Sequence, residues 1–179
     1  IILVPPDKKY LDYSKMFATW TSARAVNRGF ASTARIKEAL DSINFHSEIL
    51  KLEKRSNITE NIFNSWHRKV SVKLYNILCN NGIKDNVSFG RVSKIIAVYL
   101  KTVHILKSPY DSLSRFAHIP IDNILLVKLS EHYSDKYFKK IKWTKLDVNQ
   151  YYELIDKLKE IQKKEKLNYF WMLEKYWEI

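Results

Sequence analysis

Two stretches of the sequence set reactive side chains in an ordered context. The first is Phe89-Gly90-Arg91-Val92-Ser93-Lys94-Ile95-Ile96-Ala97-Val98-Tyr99-Leu100, and the second is His118-Ile119-Pro120-Ile121-Asp122-Asn123-Ile124-Leu125. Lys94 carries a primary amine on a helix that is otherwise largely apolar. Such an amine becomes a nucleophile when desolvation or nearby positive charge, Arg91 being one source, depresses its pKa. A plainer use exists, in which the stem lies along the apolar stripe and the ammonium reaches water. Asp122 follows Pro120 in what reads as a first helical turn, where free N–H groups and the positive helix end hold a carboxylate ionised. It can stabilise a developing cation or activate water, or it can serve only as a cap.

These residues need elements to hold them, and the sequence predicts helices throughout. Only three glycines and four prolines interrupt 179 residues, too few turns for a many-stranded sandwich or barrel. A first amphipathic helix is predicted from about Tyr10 to Arg28, with Tyr13, Met16, Phe17, Trp20 and Ala23 on its core face and Gly29 as its stop. Shorter helices follow over 33–43 and 46–54. Asn57-Ile58-Thr59-Glu60 has capping-box spacing and opens a helix to about Asn80, with the stripe Ile62, Trp66, Val70, Leu74, Ile77 and Leu78. The lysine helix runs from about Ser88 to Leu106, with Val92, Ile95, Ile96, Tyr99, Val103 and Leu106 facing inward. The aspartate helix is predicted from Pro120 to about His132. Asp147-Val148-Asn149-Gln150 caps a charged helix to about Lys166, and an aromatic-rich helix closes the chain. The expectation is an all-α, compact multi-helix fold: one domain over 1–179, with two lobes at about 10–80 and 86–179 around a basic cleft.

Composition bounds the function. Hydrophobic residues make up 46% and charged residues 28%, values of a globular chain. The longest apolar run, Ile95 to Leu100, is too short to cross a bilayer, so no membrane role is expected. Ile1-Ile2-Leu3-Val4-Pro5-Pro6 lacks the basic and hydrophobic regions of a secretion signal. A single cysteine, Cys79, excludes an internal disulfide and a cluster built on several thiolates, which suits a cytoplasmic location. His46, His67, His104, His118 and His132 show no metal-ligand spacing, and there is no phosphate-binding or dinucleotide glycine pattern, so neither metal nor cofactor is expected. The net charge of +12 favours a polyanionic partner, nucleic acid first and anionic membrane second, although charge can also act only to solubilise.

Gly-x-x-x-Lys opening an apolar helix, then Pro-apolar-Asp with the aspartate 28 residues after the lysine, resembles the catalytic segment of the helix-hairpin-helix DNA glycosylases. The likeness spans roughly residues 86–126. It is nearest the lysine-bearing 8-oxoguanine glycosylases of the archaeal branch, and bacterial anti-phage glycosylases that strip hypermodified bases are similar in plan. The usual hairpin holds a Gly-Val-Gly turn, whereas here only Gly90 remains and Val92 takes the second glycine's place. The resemblance implies Lys94 as the amine nucleophile and Asp122 as the carboxylate at the sugar. It also implies DNA contacts around the hairpin, assigned to Gly90, Arg91, Ser93 and Lys101. The activity implied is excision of a damaged or hypermodified base from DNA, in base-excision repair or in phage defence, with abasic-site lyase activity where the amine forms a Schiff base.

A flipped base needs aromatic surfaces to hold it. Trp20, Trp66, Trp143 and Asp147 are the candidates for that pocket, with Trp171 a further stacking surface; Trp66 can equally be core packing, and Asp147 only an N-cap. The basic runs 136–145 and 157–166 are phosphate contacts or solvated surface. Two other classes stay open: a non-catalytic helical DNA- or RNA-binding module, and an adaptor for an acidic protein.

Overall fold

A computed structural model describes residues 8–83 and 86–177; the apolar opening 1–6 lies outside the described residues. The protein is all-α, with no strand among the described residues. Helices α1 (Lys8–Arg24), α2 (Thr33–Ser42), α3 (Phe45–Glu53) and α4 (Glu60–Leu78) come first, followed by α5 (Phe89–Leu100) and α6 (Ser112–Phe116). Then come α7 (Asn123–Tyr133), α8 (Lys136–Lys140) and α9 (Val148–Lys164), with single 3-10 stretches at Trp143–Lys145 and Phe170–Tyr176. None of these helices is long and apolar enough to cross a membrane.

Capping chemistry sets most starts. Ser32, Thr59, Ser88, Asp111 and Asp147 each accept from a backbone N–H three residues on, and Gln150 returns the bond to the Asp147 N–H, a full capping box. Each such cap contributes roughly 1 kcal/mol. The aspartate helix starts later than its sequence suggests: Pro120 and Ile121 stay outside it, and Asp122, in extended backbone, is the N-cap of α7.

Buried residues form two clusters. One gathers α1 to α5 around Phe45, Phe63, Leu74, Ile95 and Tyr99; the other gathers α7, α9 and the C-terminal 3-10 turn around Leu125, Leu129, Tyr151, Leu158 and Leu173. Helix α5 contributes to both, Val92 to Leu100 in the first and Phe89 in the second, and is buried almost all round. A helix apolar on every side belongs at the centre of a fold.

Three predicted faces are corrected. On α1, Tyr13, Met16, Phe17 and Trp20 point outward, and only Ala23 of that set is buried. Small residues Ala18, Thr19, Ser22 and Ala23 form the inner face, which lets α1 lie against α5 and α2. The α4 face is rotated by about one residue, burying Phe63, His67, Val70, Ser71, Leu74 and Leu78 while Ile62, Trp66 and Ile77 are only partly covered. After α5 the helix widens over Lys101–Ile105, where the Leu106 N–H reaches back five residues to the Lys101 carbonyl. That extra residue turns His104 and Ile105 inward and Leu106 out to solvent. The closing aromatic segment is 3-10, and Phe170, Leu173 and Tyr176, spaced by three, fit its three-residue turn.

Candidate functional site

The close approach of two backbones begins the site. A Cβ on Gly90 would stand 1.9 Å from the Trp143 carbonyl oxygen, and the Gly90 N–H donates to the Leu146 carbonyl at 3.2 Å. Glycine is required here to let the 143–146 segment lie on α5. One turn further along α5 is Lys94, whose Nζ stands 4.4 Å from the centroid of the Trp143 indole. The glycine thus brings an aromatic face to the amine.

The carboxylate arrives on a different support. The segment leading to Asp122 is pinned at His118, whose Nδ1 is 3.1 Å from the Tyr151 hydroxyl of α9 and whose Nε2 is 3.1 Å from Asn64 Oδ1 of α4. Burial holds His118 well below its usual pKa, so the ring is neutral. Nε2 then donates to the amide oxygen, and Nδ1 accepts from Tyr151. Beyond this anchor Asp122 divides its two oxygens. Oδ1 accepts the Leu125 N–H at 3.0 Å, while Oδ2 accepts Lys94 Nζ at 3.3 Å and Trp177 Nε1 at 3.0 Å.

Lys94 is 8% exposed. Burial lowers its pKa, and the charge and hydrogen bond of Asp122 act against that shift without cancelling it. An ammonium closer to releasing its proton, beside a carboxylate, is an arrangement that supports amine or carboxylate chemistry at a carbon seated against both groups from the groove side.

Both groups open on a groove of about 440 Å³ whose rim includes Arg24 at the end of α1, Arg28 in the turn that follows it, Arg91 from α5, Asn123 and Ile124 from α7, and Trp143 and Thr144. Arg91 is held at this rim, with Nη1 donating to the Asn86 carbonyl at 2.6 Å and its guanidinium 5.0 Å from the Phe30 ring.

The structure brings together Lys94, Asp122, Arg91 and Trp143 from the residues singled out in sequence, and sends the others elsewhere. Gly90 is buried under Trp143 and presents no N–H to a phosphate, because that N–H is already bonded. Ser93 is 1% exposed, and its hydroxyl is buried away from the groove surface. Lys101 is ion-paired to Glu174. Trp66, on α4, is partly buried and packs on Phe45 and Phe63 at the edge of the first core cluster, away from the Lys94/Asp122 groove. Trp171 donates to the Pro109 carbonyl. Asp147 is the α9 cap and borders a separate groove with Arg68 and Phe89. Trp20 lies on the outer face of α1, one turn before Arg24. Sequence reasoning missed Arg24, Arg28 and Trp177. No spacing links the chain's last tryptophan to an aspartate 55 residues earlier, and the two arginines read only as the end of a helix.

Comparison with known protein families, characterised proteins and solved structures returns no match.

Proposed function

We propose that this chain is a DNA glycosylase that excises a damaged or hypermodified base and leaves an abasic site, in base-excision repair or anti-phage defence within the cytoplasm. The observation that carries the reading is the 3.3 Å contact of Lys94 and Asp122 at the floor of an arginine-rimmed groove, with Trp143 over the amine. Three guanidinium groups at the rim suit the phosphates that flank a flipped nucleotide.

The chemistry follows from the two groups. As the C1′–N bond breaks, the pair of electrons leaves with the base and positive charge builds on the sugar. The Asp122 carboxylate stabilises that charge. Two acceptors then compete for C1′. Water, giving up its proton to Asp122, yields the abasic sugar directly. Alternatively, Lys94 passes its ammonium proton to the departing base and forms the C1′–Nζ bond; Asp122 takes a proton from the new C1′–NH2+ centre and returns it to the ring oxygen as the ring opens to a Schiff base, which water hydrolyses to the abasic sugar and free lysine.

A second reading draws on the same carboxylate. Asp122 is fully engaged as the α7 cap and as partner to Lys94 and Trp177, which also suits a non-catalytic nucleic-acid-binding module. One experiment separates the two. Duplexes and phage genomic DNAs bearing normal, oxidised, deaminated and hydroxymethylated bases are incubated with the protein, followed by abasic-site detection and borohydride trapping. Abasic sites that vanish in Asp122→Asn, with an adduct that vanishes in Lys94→Ala, support the glycosylase. Salt-sensitive DNA binding without base release from any substrate leaves the binding module.

A further inference from the structure

The outer face of α1 exposes large apolar side chains next to the groove. Phe17 and Trp20 are 58% and 52% exposed, and their rings stack with centroids 6.0 Å apart and planes 23° from parallel. They form one contiguous exposed aromatic patch. The next turn carries Arg24, whose guanidinium lies 6.0 Å from the Trp20 ring and which also borders the Lys94/Asp122 groove, with Arg28 beyond it. The aromatic surface and the groove therefore share a residue.

We propose that Phe17 and Trp20 are a base-stacking platform for an unpaired stretch of nucleic acid strand, led by Arg24 and Arg28 into the groove. The proposal rests on the reading that this chain binds nucleic acid, and not on the excision chemistry. Charge complementarity selects the occupant. A surface of stacked rings continuing into guanidinium groups matches a polymer that alternates planar bases with anionic phosphates. A duplex hides its base faces inside the stack, so the platform suits single strands or the extruded region of a duplex. A second copy of the chain would bring another +12 charge against the same face.

Fluorescence anisotropy of a labelled oligothymidylate across a salt series tests this. Stacking carries no charge, so Trp20→Ala is expected to weaken binding by about 5- to 100-fold at every salt concentration while leaving the log–log salt slope unchanged. Arg28→Ala is expected to reduce that slope by about 0.7. Trp20→Phe keeps a ring and retains most of the affinity. Trp20 lies outside both core clusters, so an unaltered thermal midpoint for Trp20→Ala accompanies the expected result. Several outcomes overturn the proposal: no oligothymidylate binding by the wild type, unchanged affinity in Trp20→Ala, loss of vesicle binding alone on phosphatidylserine membranes, or a Trp20-dependent dimer in sedimentation. Base release measured in parallel keeps the two readings apart. Trp20-dependent strand binding without base release upholds the platform and sinks the glycosylase; Asp122-dependent release with strand binding indifferent to Trp20 does the reverse.

Discussion

Gly90 and Trp143 touch through their backbones, the missing Cβ of one falling 1.9 Å from the carbonyl oxygen of the other. No side-chain rotation relieves a clash with a main-chain oxygen. Gly90→Ala must therefore push the 143–146 segment off α5, at a cost of about 1–3 kcal/mol. The same displacement carries the indole away from Lys94, so base release is expected to fall more steeply than stability. Urea unfolding together with abasic-site formation on the best substrate checks both; a variant with wild-type stability and activity would show that the contact positions nothing.

Asp122 caps α7, and the proposed excision gives it a chemical duty as well; two substitutions divide the two. Asn at this position keeps an oxygen for the Leu125 N–H but loses the charge facing Lys94. Ala loses both, removing the cap and leaving a buried ammonium unpaired, for about 2–4 kcal/mol in total. Asp122→Asn is expected to unfold nearer the wild type than Asp122→Ala, yet both should lose base release by a factor of about a hundred or more. Equal activity in Asn and wild type would reduce Asp122 to a cap.

Lys94 supplies a pH dependence with a definite sign. Its folded pKa is lowered from 10.5 by burial, with Asp122 opposing. Between the folded value and 10.5 the unfolded chain binds more protons, so this residue makes stability rise with pH across that window. Lys94→Met is expected to remove that rise. Borohydride-trapped adduct should also increase with pH until the amine is fully neutral, and base release with no trapped adduct anywhere in the alkaline range would assign the step to water.

The fold class was legible in the sequence because few turn residues leave room for little but helices, whereas the Lys94–Asp122 contact was anticipated only through the family resemblance of the two motifs, the residues alone leaving a solvent-reaching lysine and a helix cap equally open. The α1 face was misread because hydrophobic periodicity assumes that the largest apolar residues face inward. Here Ala18, Ser22 and Ala23 do so, and their small size is what permits close helix packing. Gly90 could be recognised as special, but whether it served a phosphate or another backbone depended on Trp143, 53 residues away in sequence. The groove rim is of the same kind, since Arg24 and Arg91 meet only when α1 lies across α5.

Buried histidines of opposite character set the acid behaviour of the fold. Burial lowers His67 to about 3, with the charge of Arg68 adding to the effect, and lowers His118 as well. Below the unfolded value of 6.5, the unfolded chain takes protons that these rings refuse, so they make stability fall as pH drops from 6.5 toward 3. His104 acts the other way. Burial alone would lower it, but Glu53 at 2.6 Å from Nδ1 and Asp111 at 2.8 Å from Nε2 raise it above 6.5. Its stabilisation is fully present below pH 6.5 and is lost as pH rises through the raised folded value. His67→Phe is therefore expected to flatten the acid limb of a stability–pH curve measured by urea unfolding, while His104→Gln lowers stability most at pH 5–6 and least in mild alkali. A His104→Gln deficit that grows with pH would contradict a charged imidazole between the two carboxylates.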